Sequence, residues 1–93
     1  MDIKIAVTDE ERSKVLSTIS VLNSREHVLQ MPIQSIATMS GLKLSKTRLV
    51  LEDLMTKNLI TRYNVSEKQV RPRYYYTLSE AALEILQNTV PQE

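Results

Sequence analysis

The apolar positions of the chain change period several times, and each change marks an element. Val15, Leu16, Ile19 and Leu22 recur at helical spacing, with Val21 at the edge of the stripe. Just before them stands Thr8-Asp9-Glu10-Glu11. A threonine followed three residues later by glutamate is a capping box, and the acids sit at the positive end of the helix dipole. The spacing predicts a first helix from Thr8 to about Leu22, stopped at Asn23. Asn23 to Gln30 reads as a connector whose Val28 and Leu29 tuck under the domain. A second helix then runs from Pro32, a residue suited to a first turn because its missing N–H costs nothing there. It ends in a tight turn at Ser40-Gly41. Gly41 is the only glycine of the chain, so it belongs where the backbone needs a positive φ, and the corner between two helices is such a place. A third helix follows, about Leu44 to Lys57, closed by Asn58, which tolerates the left-handed conformation. Val50, Leu51 and Leu54 share its buried face with Thr47 beside them. Ser45, Leu49, Glu52 and Thr56 fall opposite, flanked by Lys46 and Arg48.

Beyond Asn58 the period drops to two. Ile60 to Val65 and about Arg71 to Leu78 are β-prone runs around a polar turn, Ser66 to Gln69, which reads as a hairpin. Alternation puts Tyr74, Tyr76 and Leu78 on one face and Arg73, Tyr75 and Thr77 on the other. Since one face of a hairpin packs on the helices, Tyr76 and Leu78 are expected in the core and Tyr75 outside; Tyr74 fits either core or rim. Pro72 lacks an amide donor and suits an edge. Ser79 is a good N-cap for a last helix through about Asn88. Its apolar residues cover more than one stripe, and in so small a chain the second contact is most simply another subunit, through Leu83, Leu86 and Val90. At the other end Ile3, Ile5 and Val7 alternate with Asp2, Lys4 and Ala6, so residues 1–7 form a short strand or an arm on a partner. Helices and a hairpin in this order give an α+β class.

Composition narrows the function. With 93 residues the chain makes one small domain, residues 1–93, whose thin core oligomerisation would help. There is no cysteine, hence no disulfide framework and no thiolate metal site, and the lone His27 is a poor metal ligand. No cofactor is expected. A Gly-rich phosphate loop is absent, and Glu52-Asp53 are sequence neighbours on the outer side of a helix, so an enzyme is the least fitting class. No apolar run is long enough to span a bilayer, and the start of the chain lacks a signal-peptide pattern, which fits a cytoplasmic protein. Charge is divided along the chain. From Lys43 to Arg73 eight basic residues face three acidic ones, a net +5, while the rest has four basic and eight acidic, a net −4. Such a split points to a polyanion-facing surface with an acidic back.

Helix, helix, turn, helix, hairpin, helix is an order that resembles the winged helix-turn-helix domain, over roughly Glu10 to Leu86. The matching residues are Ile36-Ala37 before the turn, Gly41-Leu42 at it, Val50-Leu51 and Leu54 in the third helix, Leu59-Ile60 at the exit into the wing, and Tyr76, Leu78 and Ser79 at the return. The spacing is similar to that of the small dimeric regulators of the MarR and PadR type. In size and bare architecture the chain also resembles the archaeal AspA-type plasmid partition proteins. Asn58 and Ala82 stand where many members carry glycine, and the long extra helices of many members are missing. The resemblance implies that the third helix enters the major groove with Ser45, Lys46, Arg48 and Leu49, and that Lys43 meets a phosphate. It places Arg62, Lys68, Arg71 and Arg73 of the wing at the backbone or minor groove, and Tyr75 at a phosphate. The expected protein is a homodimer that binds double-stranded DNA in the cytoplasm, acting as a transcriptional repressor on a palindrome. The alternative is a partition protein that spreads along DNA in higher-order assemblies. A third reading, a winged domain used only for protein contacts, would make Lys46 and Arg48 dispensable.

Overall fold

The computed structural model of the chain describes residues 7–65 and 73–89. The expected strand or arm at 1–7, apart from Val7, lies outside the described residues, as do Lys68, Arg71, Pro72 and Val90. The described elements are α1 (Asp9–Asn23), α2 (Ile33–Ser40), α3 (Leu44–Thr56), β1 (Ile60–Asn64), β2 (Tyr74–Leu78) and α4 (Glu80–Thr89).

Helix α1 starts as its sequence dictates. Glu11 N donates to Thr8 Oγ1 at 3.1 Å and Thr8 N donates to Glu11 Oε1 at 3.0 Å, which closes the capping box. Val15, Leu16, Ile19 and Leu22 are buried, joined by Thr18. The Thr18 hydroxyl satisfies itself on Lys14 O at 2.9 Å and lies 3.1 Å from the Ser40 hydroxyl, a polar stitch between α1 and α2 inside the interface.

Two helices end in the same way. Gly41 is left-handed at φ 74°, and the two bonds Gly41 N to Thr38 O and Leu42 N to Ala37 O form a Schellman motif. Asn58 is left-handed at φ 61°, and Asn58 N to Met55 O with Leu59 N to Leu54 O repeats the motif at the end of α3. In each case the next residue, Leu42 or Leu59, folds back onto the core. Pro32 stands one residue earlier than expected, at the N-cap of α2 rather than in its first turn.

The core is one cluster in which α1, α2 and α3 meet the hairpin and Ala82 of α4. Val50, Leu51 and Leu54 are at most 2% exposed, as the stripe predicts, and Thr47 is buried beside them with its hydroxyl on Lys43 O. Strands β1 and β2 pair antiparallel from Ile60 opposite Leu78 to Asn64 opposite Tyr74. Tyr76 is 1% exposed in the core and Leu78 packs against it. Burial pushes the Tyr76 phenol above its usual range, and nearby Arg62 offsets part of that.

The connector departs from expectation. Val28 is half-buried against the core, but Leu29 is 77% exposed, and Met31 fills the space instead at 1%. The reason lies in β2. Its outer edge is closed by the connector, where Met31 N donates to Tyr74 O at 2.7 Å, and by α1, where Asn23 Nδ2 donates to Tyr76 O at 2.9 Å. Those bonds fix where the connector runs and leave Leu29 outside. The last helix begins with the Ser79 hydroxyl accepting from Ala82 N at 3.2 Å.

Candidate nucleic-acid interface

The first turns of α3 present a largely polar surface because Val50, Leu51 and Leu54 turn into the core. Lys43, Ser45 and Arg48 are exposed. Leu49 is half-buried, so it offers only part of its side chain. Leu44, one turn before Arg48, is the more exposed leucine at 38%, a residue the sequence reading passed over. Its i, i+4 relation to Arg48 was the available signal.

Arg48 does not stand alone. It lines a cleft of about 350 Å³ together with Leu44, Gln34 of the first turn of α2, Tyr74 of β2, and Arg73, which precedes β2 at the turn end of the hairpin. Cations of α3 and of the hairpin, separated in sequence, therefore share one concave surface. Arg73 is held in place through its carbonyl, which accepts from Val65 N at 2.7 Å. Arg62 lies with its guanidinium carbon 4.3 Å from the centre of the Tyr74 ring, a cation–π contact that fixes the arginine on the wing face.

Three residues lie elsewhere than expected. Lys46 does not flank the exposed face. Its ammonium reaches back to α1, 3.5 Å from Glu11 Oε1, and its side chain is only 21% exposed. Tyr75 is half-buried rather than outward, and its hydroxyl accepts from Asn23 Nδ2 at 3.2 Å. Because α1 flanks β2, both faces of that strand find neighbours. Asp53 is also not on the outer side of α3. Arg12 Nε donates to its Oδ2 at 2.6 Å, Lys57 stands 3.6 Å from its Oδ1, and Arg12 binds Asp9 at 2.7 Å. Glu52 does remain exposed. The seam between α1 and α3 is thus a run of ion pairs, and Asp53 raises the basicity of Arg12.

Of the expected dimer residues, Leu83 is 44% exposed, while Leu86 turns partly to the core of its own chain. Ile85 at 37% and Val21 of α1 at 43% add exposed apolar surface. Among the described residues no group of acidic or histidine side chains is arranged to hold a metal, and no helix is long and apolar enough to cross a membrane.

Helix, helix, left-handed turn, helix, hairpin and closing helix, with the second and third helices packed across Gly41, define a winged helix-turn-helix domain. No protein-family model matches the chain, and no curated protein matches it. Solved structures match it by shape. A candidate DNA-binding protein of Ralstonia eutropha JMP134 is 18% identical, with 91% of this chain and 100% of that one aligned at a TM-score of 0.66. MepR, a transcription regulator of the Staphylococcus aureus multidrug efflux pump MepA, is 16% identical over 88% of this chain at a TM-score of 0.61. This chain spans only 54% of MepR. The DNA-binding TubR fragment of Clostridium botulinum is 10% identical, with 91% and 100% covered, at a TM-score of 0.62.

Proposed function

We propose that this protein binds double-stranded DNA sequence-specifically as a homodimer and acts as a transcriptional repressor. The observation that carries the reading is the shared cleft of Arg48 and Arg73, continued along α3 by exposed Lys43 and Ser45. A helix start and a hairpin lined with cations match a groove flanked by two phosphate strands. Arg48 is the residue assigned to a guanine edge, because a guanidinium donates to O6 and N7 together. Leu44 and the accessible part of Leu49 are assigned to thymine methyl contacts, and Lys43 to a phosphate. Arg73, Arg62, Lys68 and Arg71 are assigned to the backbone or minor groove beside it. The three similar solved structures, of DNA-binding proteins and a transcription regulator, support the same class.

Dimerisation is assigned to α4, where Leu83 and Ile85 are exposed, with Val21 of the adjoining α1. A two-fold pair would read half-sites about 34 Å apart, hence a palindrome. Selection of bound duplexes from a random pool, with the mass of the complex measured, tests the whole reading. A palindromic consensus bound by two chains is the expected result. Equal recovery of all sequences, or no duplex bound at modest salt, would refute it.

A second reading, a partition protein that coats DNA, is favoured by apolar surface away from α4. Leu29 of the connector is 77% exposed and Tyr63 and Val65 of the hairpin 51% and 42%, which supplies contacts for neighbouring dimers. A footprint that lengthens with protein concentration supports coating; a fixed one supports repression.

A further inference from the structure

We propose that Glu11 is an internal counterion that withholds Lys46 from DNA phosphates and so suppresses non-specific binding. The inference rests on the DNA-binding reading above. Lys46 sits in the first turn of the recognition helix, where a cation is ordinarily counted toward the DNA surface. Its ammonium is instead 3.5 Å from Glu11 Oε1, and both side chains are about four-fifths covered, at 21% and 20% exposure. The carboxylate is not a chance neighbour. The same Oε1 accepts from Thr8 N at 3.0 Å, so the capping box that starts α1 also fixes the acceptor that Lys46 meets. The adjoining Arg12–Asp53 bond, at 2.6 Å, holds α1 and α3 in the register that brings the two groups together. A carboxylate in this position takes the place of a phosphate oxygen.

The consequence is a count of released counterions. Each phosphate neutralised by a free cation adds about 0.9 to the slope of log K against log salt. With Lys46 paired inside the protein, non-specific binding is driven by one cation fewer. Glu11 thereby lowers affinity for random sequence, and the exposed Arg48 and Lys43 are left to set affinity for the right one.

The test measures binding of a short random-sequence duplex by fluorescence anisotropy from about 50 to 200 mM salt. Glu11→Gln keeps the capping box, because glutamine serves at that position, but removes the charge. The expected result is a slope steeper by about 0.9, an extra loss of roughly 3.5-fold in affinity across that salt range. Lys46→Met alone should leave the slope unchanged, and the double variant should match Lys46→Met. Glu10→Gln, which removes another acid from the same helical turn, should steepen the slope by less than half as much. Thermal melting of each variant confirms that it is folded. A slope flattened by about 0.9 in Lys46→Met overturns the proposal, since Lys46 would already be on a phosphate. Equal effects of Glu11→Gln and Glu10→Gln overturn it too, since the loss of any acid would then suffice. If no folded variant, the wild type included, shows salt-dependent binding, the DNA-binding reading falls with it.

Discussion

Replacing Gly41 by alanine separates backbone strain from crowding at the corner of the two helices. Gly41 holds φ 74° and ψ 25°, inside the left-handed region. A Cβ built there meets no heavy atom within 4 Å, so no neighbour has to move. The cost is then conformational alone, about 1–2 kcal/mol for a residue with a Cβ in that region. Alanine also lowers the entropy of the unfolded chain, which returns about 0.4–1 kcal/mol. The net expectation for Gly41→Ala is a destabilisation of about 1 kcal/mol, or a Tm lower by about 4–8 °C for a domain of this size. Urea unfolding and thermal melts followed by circular dichroism measure it. Gly41→Asn should lose less, because asparagine enters the left-handed region more readily. Since both Schellman bonds survive, Lys43 and Arg48 keep their places, and DNA affinity well below the melt should not change. A loss above about 3 kcal/mol would mean that the corner is crowded, and a gain in stability would mean that Gly41 is not left-handed in solution.

Other perturbations test the site and the core. Arg48→Ala should weaken binding to the selected duplex by about 1–3 kcal/mol and relax preference at one base position, as read by competition with single-base variants. Arg73→Ala should weaken all duplexes alike and flatten the salt slope by about one; a sequence-dependent loss would move Arg73 from backbone to base reading. Leu54→Ala removes a side chain that is 0% exposed and should cost about 2–5 kcal/mol in urea unfolding, with an unchanged midpoint counting against the assigned core. The Glu11 carboxyl is held below its ordinary 4.5, first by the Thr8 backbone bond and then by Lys46. A depressed carboxyl stabilises the fold above that ordinary value and stops doing so as pH falls through the lowered one. The melting advantage of wild type over Glu11→Gln should therefore be full near neutrality and vanish in acid; a difference independent of pH would contradict the assignment.

The elements themselves were legible because their signals are local. The Thr8–Glu11 box, the Val15–Leu22 stripe, the glycine turn, the Asn58 stop and the period-two hairpin each rest on residues within a few positions of one another, which sterics and helix geometry constrain directly. Arg48 was legible for the same reason, since a charge opposite a buried stripe has only one side to occupy. What escaped was set by contacts between segments far apart in the chain. Lys46 is an exposed cation by helix phase, and only the crossing of α1 over α3 puts Glu11 beside it. Asp53 turned inward because Arg12, 41 residues away, meets it there. Leu29 stayed outside and Tyr75 came in because the connector and Asn23, up to 53 residues from their partners, close the free edge of β2. Periodicity determines which face of an element is apolar. Which polar group a face meets depends on how rigid elements settle against one another, and that is fixed only when the whole core packs.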